Sequence, residues 1–378
     1  MGHVLIAPDK FKGTLTASEV AAHVAAGLIA AGPTKTVSVP VADGGDGTVD
    51  AAVAAGYRRV ELGVRGPTGK AVTAAFGLLD GTAVIEAAQA CGLALMRRDG
   101  GQLAPLAAST RGVGELILAA VRMGAKKVIL GLGGTASTDG GAGLVSALGA
   151  TLRDAHGDDL PGGGAALSSL ARLDLTRLRD LSGVEFLLAS DVDNPLLGPS
   201  GAAAVYAPQK GASAADVAVL EAGLARWADV AEAAAGKAAR GLPGAGAAGG
   251  LGFAAQLFLG ARLRPGISLL LEMAAFERHL DGADLVITGE GSLDEQTLHG
   301  KAPVGVAQAA AAHEPPVPVV AVAGVCTLSR AQLRAAGIEA AYPLTDVEPD
   351  VALCCASPGP LLERVARQIA VDWLSPRP

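Results

Sequence analysis

The residues best suited to chemistry are carboxylates that stand among glycines directly after predicted strands. The first case is VPVADGGDGT (39–48), where Asp43 and Asp46 share a short stretch with three glycines, two of them Gly44 and Gly45. Turns favour Asp and Gly as well, so a plain turn is the alternative interpretation. In open α/β sheets, however, ligands bind outside the carboxyl ends of the strands. The stretch is therefore a candidate metal or phosphate site.

A second acidic strand end is FLLASDVDNPLLG (186–198), which carries Asp191 and Asp193. Alternate residues of an extended segment point the same way, so both carboxylates can face one cation. Phosphatases of the haloacid-dehalogenase type have a similar D-x-D after a strand, but they have Gly-Thr where this chain has Asn194-Pro195. An Asp-rich turn before proline is again the alternative.

A third acidic strand end lies in LVITGEGSLDEQTLHGKAPVGVA (285–307), where a predicted strand is followed by a predicted helix with proline in its first turn. Lysines flanked by glycine or aspartate occur here and in APDKFKG and YAPQKG, and each alone is compatible with a solvated surface charge. The charged residues of interest in these three segments are Glu290, Asp294, Lys301, Asp9, Lys10, Lys12 and Lys210.

The segment VILGLGGTASTDGGAGLVSALG (128–149) is a long glycine-rich loop between a strand and a helix. It contains Gly131-x-Gly133-x-x-Ala136, a relaxed dinucleotide fingerprint. The helix is predicted to begin only after Gly141, and no acid stands where a ribose would bind, so a nicotinamide site is disfavoured. Successive small residues expose backbone N–H groups to an anion, so a phosphate cradle is favoured over mere tight packing. The chain has no G-x-x-x-x-G-K-[ST] sequence, and any ATP must bind without a P-loop.

Together these features are the components that phosphoryl transfer needs. Carboxylates hold Mg²⁺, backbone amides and ammonium groups hold phosphates, and a base stands near the attacking hydroxyl.

Composition excludes several other classes of protein. The net charge of −7 and the 3% of aromatic residues argue against nucleic-acid binding. Mean hydropathy is +0.40, but alanine and glycine account for much of it, and no apolar run reaches the roughly 20 residues of a membrane span. The chain starts without a secretory signal, and its four cysteines show no C-x-x-C pair. A cytoplasmic protein acting on small molecules is expected, and a homo-oligomer is allowed.

The pattern of predicted elements places the fold in the α/β class. Strand–helix alternation occurs at both ends of the chain, with two candidate strands at the front and three at the back, whereas successive strands joined by GPTG and DG turns follow Tyr57. We therefore predict a discontinuous, flavodoxin-like parallel-sheet domain from residues 1–62 and 284–378. Residues 63–283 are predicted to form an inserted mixed α/β domain, with the ligand cleft between the two.

Seven segments in order resemble the glycerate kinase type-1 family. They are APDKFKGTLTA, VPVADGGDGT, GLGGTASTDGGAG, SDVDNPLLG, APQKGA, GAAGGLG and TGEGSLDEQTLHGKAPVGVA, and they extend from residue 4 to about residue 310. The resemblance implies a two-domain α/β fold with a cleft and ATP-dependent phosphorylation of D-glycerate, typically on the 2-hydroxyl. Lys10, Asp46 and Ser292 stand where many members have serine, glutamate and arginine, and the last difference removes a possible anion-binding charge.

The resemblance and the residue chemistry together define the expected site. The catalytic residues are Asp191, Lys12 and Asp43, and the ligands of Mg²⁺ are Asp191 and Asp193. The residues expected to bind ATP and glycerate are Lys10, Gly44, Gly45, Gly133, Gly134, Thr135, Ser137, Asp139, Gln209, Lys210, Glu290, Asp294 and Lys301. Two alternative functions are a D-x-D phosphohydrolase of small phosphoesters and a non-catalytic protein that binds a nucleotide or hydroxy acid.

Overall fold

The computed structural model describes residues 2–98 and 103–375 of the chain. In chain order the strands are β1 (His3–Pro8), β2 (Thr36–Ser38), β3 (Arg58–Arg65), β4 (Ala71–Leu79), β5 (Thr82–Glu86), β6 (Lys127–Gly131), β7 (Thr151–Arg153), β8 (Arg172–Asp174), β9 (Glu185–Ala189), β10 (Arg262–Arg264), β11 (Ala283–Leu293), β12 (Val319–Cys326) and β13 (Ala340–Pro343).

The helices alternate with these strands over most of the chain. They are α1 (Ala17–Ala31), α2 (Thr48–Ala54), α3 (Ala87–Cys91), α4 (Leu93–Arg98), α5 (Arg111–Arg122), α6 (Ala142–Ala147), α7 (Ala202–Tyr206), α8 (Ala214–Ala235), α9 (Ala247–Leu259), α10 (Gly266–Met273), α11 (Phe276–Leu280), α12 (Ala302–Ala312), α13 (Arg330–Ala335), α14 (Val351–Ala356) and α15 (Pro358–Ile369).

Contacts divide the chain into two compact units. The first comprises Met1–Asp43, Asp50–Gly56 and Pro265–Pro378, and the second comprises Gly44–Val49 and Tyr57–Arg264. No helix within residues 2–98 and 103–375 combines the length and the apolar character that crossing a bilayer requires.

The sheet of the first unit is parallel throughout and has the order β13-β12-β11-β1-β2. Counted along this unit's own strands, that order is 2-1-3-4-5, the order of flavodoxin-like folds. The predicted flavodoxin-like sheet built from both ends of the chain is confirmed. Its two faces are covered because alternate residues of each strand point to opposite sides. Val4 and Ile6 of β1 face α1 and α15, while Leu5 and Ala7 face α10 and α12.

Local sequence signals explain where the first long helix begins and ends. The hydroxyl of Thr16 accepts a hydrogen bond from the Glu19 N–H at 3.2 Å, and the Glu19 carboxylate accepts one from the Thr16 N–H at 2.8 Å. This reciprocal capping box satisfies two N–H groups that have no partner within the helix. Gly32 follows the last turn as the C-cap residue.

The sheet of the second unit has the order β10-β9-β6-β5-β4-β3. Strands β5, β6, β9 and β10 are parallel, and β3, β4 and β5 pair antiparallel through tight turns, which confirms the prediction of successive antiparallel strands after Tyr57. One of these turns contains Asp80 and Gly81, both with positive φ. The core of this unit contains Phe76, Trp227 and Phe253, all fully buried.

Three features of the fold differ from the sequence-based expectation. Residues 44–49 and 57–62, which the sequence analysis assigns to the parallel-sheet domain, belong to the second unit, where β3 pairs with β4. Residues 265–283, which the sequence analysis assigns to the insert, form α10 and α11, whose Leu271 and Phe276 pack with Val286 in a core of the first unit. Strand β11 also continues through the residues expected to follow the strand, as far as Leu293, because the long strand β12 supplies hydrogen-bonding partners along that length. Glu290 therefore lies inside a strand and not after one.

Candidate active site

In the first unit, the candidate residues gather where the strand order reverses. Strands β1 and β11 are neighbours at that point, and the N–H of Asp9 donates to the carbonyl of Gly289 at 2.7 Å. The side chains of Asp9 and Glu290 are nearly enclosed, with 6% and 7% of their surfaces exposed. Open α/β sheets bind ligands at such switch points, outside the carboxyl ends of the strands. The tertiary structure thus places two buried acids at the position where a ligand is expected.

Burial raises the pKa of both acids. It raises the pKa of Asp9 to about 6, against the opposing effect of Lys10, and the neighbouring charge of Asp43 acts in the same direction as burial. Burial likewise raises the pKa of Glu290 to about 7, which the hydrogen bond from Thr297 and the charge of Lys301 partly offset. A carboxyl group that titrates near neutral pH can accept or hold a proton during a reaction.

The lysines of APDKFKG occupy different environments. The N–H of Lys10 donates to Asp9 Oδ1 at 2.7 Å, and its Nζ lies 3.7 Å from the same oxygen. Lys12 is exposed, on a short loop closed by backbone hydrogen bonds between Phe11 and Leu15. A Cβ added to Gly291 would lie 3.4 Å from the Lys12 nitrogen, so the loop passes close to β11.

The loop after β11 positions the Glu290 carboxylate through Thr297, a residue that the sequence analysis missed. The buried Thr297 hydroxyl donates to Glu290 Oε1 in a short hydrogen bond and accepts one from the Asp294 N–H at 3.1 Å. The Asp294 carboxylate accepts from the Gln296 N–H at 2.9 Å. Lys301 follows as the N-cap residue of α12. In the sequence, only its place in SLDEQTLHGK could have marked Thr297 as a site residue, and many other loop residues have a similar place.

In the second unit, the glycines of VPVADGGDGT lie against the ends of two strands. A Cβ on Gly44 would lie 2.5 Å from the carbonyl oxygen of Ala189, at the end of β9. A Cβ on Gly131, at the end of β6, would lie 2.6 Å from the Gly44 carbonyl oxygen, which accepts a hydrogen bond from the Gly133 N–H at 3.3 Å. Only glycine permits this approach of backbone to backbone. The structure thus brings Gly44, Gly45 and Gly133 together.

Glu86 anchors the same segment and was not predicted. It ends β5 with 3% of its surface exposed, and its Oε2 accepts hydrogen bonds from the N–H groups of Gly47 at 3.1 Å and Val49 at 3.3 Å. The hydroxyl of Thr48 donates to the Gly45 carbonyl at 2.7 Å. The sequence could have indicated this role, because Glu86 ends the apolar run TAVIE in the same way as acids follow the three predicted strands.

The glycine-rich loop after β6 is held in place along its whole length. The Gly134 carbonyl accepts from the Leu93 N–H at 2.8 Å, and the Ala136 N–H donates to the Cys91 carbonyl at 2.7 Å. The helix α6 begins at Ala142, which confirms the predicted start after Gly141. Gly134 is exposed, whereas Thr135 and Ser137 are buried. The side available to a ligand is therefore the backbone near Gly133 and Gly134.

Asp139 and Lys210 are enclosed in the structure. The Asp139 carboxylate accepts hydrogen bonds from the Thr110 N–H at 2.8 Å, the Thr110 hydroxyl at 3.0 Å and the Gly141 and Gly143 N–H groups at 3.1 and 3.2 Å. Burial raises its pKa. Lys210, 3% exposed, donates from Nζ to the Ser137 carbonyl at 2.5 Å, and burial lowers its pKa to about 8. Both side chains hold the glycine-rich loop through hydrogen bonds to its backbone.

Asp191, Asp193 and Gln209 are exposed. The segment that carries the two acids is anchored by Asn194, whose side chain donates to the Ser200 carbonyl at 2.8 Å and accepts from the Tyr206 hydroxyl at 2.6 Å. Burial, followed by the charge of Asp193, raises the pKa of Tyr206. Asn194, at which the sequence departs from the phosphatase pattern, thus has a structural role here.

The carboxylates of Asp191 and Asp193 are suitable ligands for a Mg²⁺ ion that is also bound by a nucleotide. Within the described part of the chain, no group of three or more His, Cys, Asp or Glu side chains is arranged to hold a metal. Mg²⁺ in phosphoryl-transfer sites is typically held by one or two carboxylates together with phosphate oxygens and water. The two exposed carboxylates of Asp191 and Asp193 match that requirement.

Comparison with known proteins identifies the family of the chain. Residues 4–374 match the Glycerate kinase family. The chain is 45% identical over 374 residues to the Glycerate kinase of Bacillus subtilis, covering 98% of this chain and 97% of that one. It is 44% identical over 348 residues to the Glycerate 2-kinase of Escherichia coli, covering 90% and 89%. A solved structure assigned as glycerate kinase 2 of Salmonella typhimurium LT2 superposes with a TM-score of 0.82 at 39% identity, covering 99% and 100%. The predicted resemblance is confirmed, and the chain belongs to the glycerate kinase family.

Proposed function

We propose that the protein transfers the γ-phosphoryl group of ATP to the 2-hydroxyl of D-glycerate. The observation that carries the proposal is the similarity over nearly the whole chain to relatives named for this activity, one of them a glycerate 2-kinase. Five of the seven segments that carry the resemblance lie at the carboxyl ends of parallel strands, where α/β folds bind ligands. Relatives that are kinases disfavour the alternatives of a phosphohydrolase and a non-catalytic binding protein.

The catalytic roles go to Lys12, Asp43 and Asp191. Lys12 and Asp191 are exposed and so accessible to a substrate. The ammonium group of Lys12 is suited to balancing charge that develops on the transferring phosphoryl group. A carboxylate such as that of Asp43 or Asp191 is suited to accepting the proton of the attacking hydroxyl.

Binding of ATP and glycerate is assigned to the remaining residues of the loops. Exposed backbone near Gly133 and Gly134 offers N–H groups to phosphate oxygens, while Gly44 and Gly45 set the shape of the adjoining segment. Thr135, Ser137, Asp139 and Lys210 act by holding this backbone, since they are buried. Lys10, Gln209, Glu290, Asp294 and Lys301 complete the proposed set.

Asp191 and Asp193 would hold Mg²⁺. When bound, the ion neutralises negative charge on the phosphates of ATP. The two carboxylates would position the ion and, through it, the phosphates of the nucleotide.

The surroundings proposed for the protein are cytoplasmic, with small-molecule substrates. All four cysteines are free thiols, as is usual in a reducing compartment. The net charge of −7 is unfavourable for nucleic acid.

A coupled assay of ADP release tests the activity. We expect ADP to appear only when ATP, Mg²⁺ and D-glycerate are all present, and we expect no phosphate release from phosphoesters alone. The ³¹P NMR signal of the product identifies the acceptor hydroxyl, because phosphate on C2 couples to one proton and gives a doublet, whereas phosphate on C3 gives a triplet. Absence of glycerate-dependent ADP release at saturating substrates would refute the activity, and a triplet would refute the regiochemistry alone.

A further inference from the structure

The second unit contains a large cavity that is remote in sequence from the segments proposed for catalysis. Its volume is about 860 Å³, within the range of small-molecule sites. It extends along α5, since both the first residue of that helix, Arg111, and the last, Arg122, line it. Residues 176–180 also line it and contribute Arg177 and Arg179. We call this space the arginine cavity and define it by these four arginines.

The charge of the arginine cavity contrasts with that of the protein. Four arginines and two aspartates, Asp159 and Asp180, line it, which leaves a net lining charge of two positive units (4 − 2 = +2). The whole chain has a net charge of −7. Asp159 already pairs with Arg153, outside the lining, at 3.4 Å. A concentration of positive charge in a concave, partly enclosed surface attracts anions.

Three of the four guanidinium groups are available to a ligand. Within residues 2–98 and 103–375, the side chains of Arg122, Arg177 and Arg179 form neither an ion pair nor a hydrogen bond. Arg111 is partly neutralised, because its Nε lies 3.6 Å from Glu115 Oε1. Guanidinium groups bind phosphate and carboxylate through pairs of parallel hydrogen bonds, so unpaired ones favour such ligands.

The arginines are held by an anchored backbone. The Arg179 N–H donates to the Leu148 carbonyl at 2.9 Å, and the Leu178 N–H donates to the Leu175 carbonyl at 3.0 Å. Leu175 and Leu178 pack against the core of the unit, so Arg177 and Arg179 project from a supported loop. Preorganised donors lose less entropy when a ligand binds.

We propose that the arginine cavity binds a small polyanion with at least two phosphate or carboxylate groups. The arginines come from two separate segments, α5 and residues 176–180, and each segment can hold one anionic group. None of the described lining residues is aromatic, so the cavity offers no surface on which a nucleobase would stack. The preferred ligand is a phosphorylated or polycarboxylic metabolite and not a nucleotide.

A bound polyanion has a direct physical connection to the glycine-rich loop. Thr110 immediately precedes Arg111 and donates two hydrogen bonds to Asp139 of that loop. Its hydroxyl also accepts from the Leu144 N–H at 3.0 Å. A ligand that moves Arg111 would therefore also move Thr110 and, through Asp139, the glycine-rich loop that the proposed function assigns to phosphate binding.

Isothermal titration of the full chain with sodium pyrophosphate, in metal-free buffer at low salt, tests the site. We expect saturable binding, and we expect Arg177→Gln/Arg179→Gln to weaken it at least about tenfold, or about 1.4 kcal/mol. The matched control Arg330→Gln/Arg334→Gln removes the same charge from exposed positions on α13 and should leave the affinity within about twofold. Inorganic phosphate, with one anionic group, should bind much more weakly than pyrophosphate.

Hydrogen exchange locates the bound pyrophosphate. We expect slower exchange in the first turn of α5 and in residues 175–180, and the variant Asp191→Asn should retain this protection. Arg122→Gln, at the end of α5, should weaken binding as well and provides a second test if the double variant fails to fold. Binding that is absent, unaffected by all three cavity substitutions, or weakened equally by the control would overturn the proposal.

Discussion

The ammonium group of Lys210 lies 2.5 Å from the carbonyl oxygen of Ser137, to which it donates a hydrogen bond inside the second unit. This contact joins the YAPQKG segment to the glycine-rich loop across more than seventy residues of sequence. Burial lowers the pKa of Lys210 to about 8, so enclosing its charge costs stability, and the hydrogen bond to the Ser137 carbonyl offsets part of that cost.

We predict that Lys210→Met stays folded and raises the KM for ATP about tenfold, since methionine fills the volume but leaves the Ser137 carbonyl without its donor. Steady-state kinetics with varied ATP measures the effect. Lys237→Met, at an exposed lysine, is the control and should behave like the wild type. Unchanged KM values in both variants would remove Lys210 from the site.

The stability of the wild type should also depend on pH through Lys210. Its folded pKa is lower than the unfolded value, so the unfolded chain binds more protons between about pH 8 and pH 10.5 and stability rises with pH in that window. The Lys210→Met variant should lack this rise, as urea titrations at several pH values would show.

Asp191→Asn and Asp193→Asn should each remain folded and lose on the order of a hundredfold in kcat, about 2.7 kcal/mol of barrier. Asparagine keeps the size and the hydrogen bonding of the side chain but removes the charge that would hold Mg²⁺. Titration of activity with Mg²⁺ should show a raised half-saturation concentration. Asp158→Asn, another exposed acid, is the control, and near-normal kcat in both test variants would identify Asp191 and Asp193 as turn residues.

Glu290 should make stability depend on pH in the acidic range. Its folded pKa of about 7 exceeds the unfolded value, so its contribution is fully present below about pH 4.5 and is lost as the pH rises through 7. Glu290→Gln should flatten this part of the curve of unfolding free energy against pH. Thr297→Val removes the hydrogen bond that lowers the pKa of Glu290, so it should shift the midpoint to higher pH. A midpoint that moves down contradicts the assignment.

Glu86→Ala should lower the free energy of unfolding by roughly 2–4 kcal/mol, because the N–H groups of Gly47 and Val49 lose a buried acceptor. Urea denaturation measures the loss, and Glu86→Gln, which retains an acceptor oxygen, should recover part of it. Glu61→Ala on the exposed face of β3 is the control. Equal losses at the two positions would show that Glu86 has no special anchoring role.

Gly131→Ala should reduce activity far more than Gly63→Ala. The new Cβ at residue 131 would lie 2.6 Å from the Gly44 carbonyl oxygen and displace that segment, whereas no described atom lies within 4 Å of a Cβ at residue 63. Both positions are in strands, so the loss of glycine itself is matched. Similar kcat/KM values in the two variants would show that the approach of Gly44 to β6 is unimportant.

The sequence by itself determined the features that depend on neighbouring residues. The capping box of Thr16 and Glu19, the turns between β3, β4 and β5, and the start of α6 after Gly141 all follow from interactions a few residues apart. The alternation of strands and helices at both ends also sufficed for the flavodoxin-like sheet. The seven ordered segments sufficed for the family.

The tertiary structure alone decided which of these residues meet and which are enclosed. Asp9 and Glu290 become neighbours only because β1 pairs with β11. Asp139 and Lys210 are both buried, although charged residues such as these are normally expected at the surface. In the sequence, Glu86 and Thr297 resemble many other polar residues, and only the folded structure shows which groups they bind. Hydrogen bonding and burial at these positions depend on partners that are distant along the chain, and only the packing of the folded units brings such partners within reach.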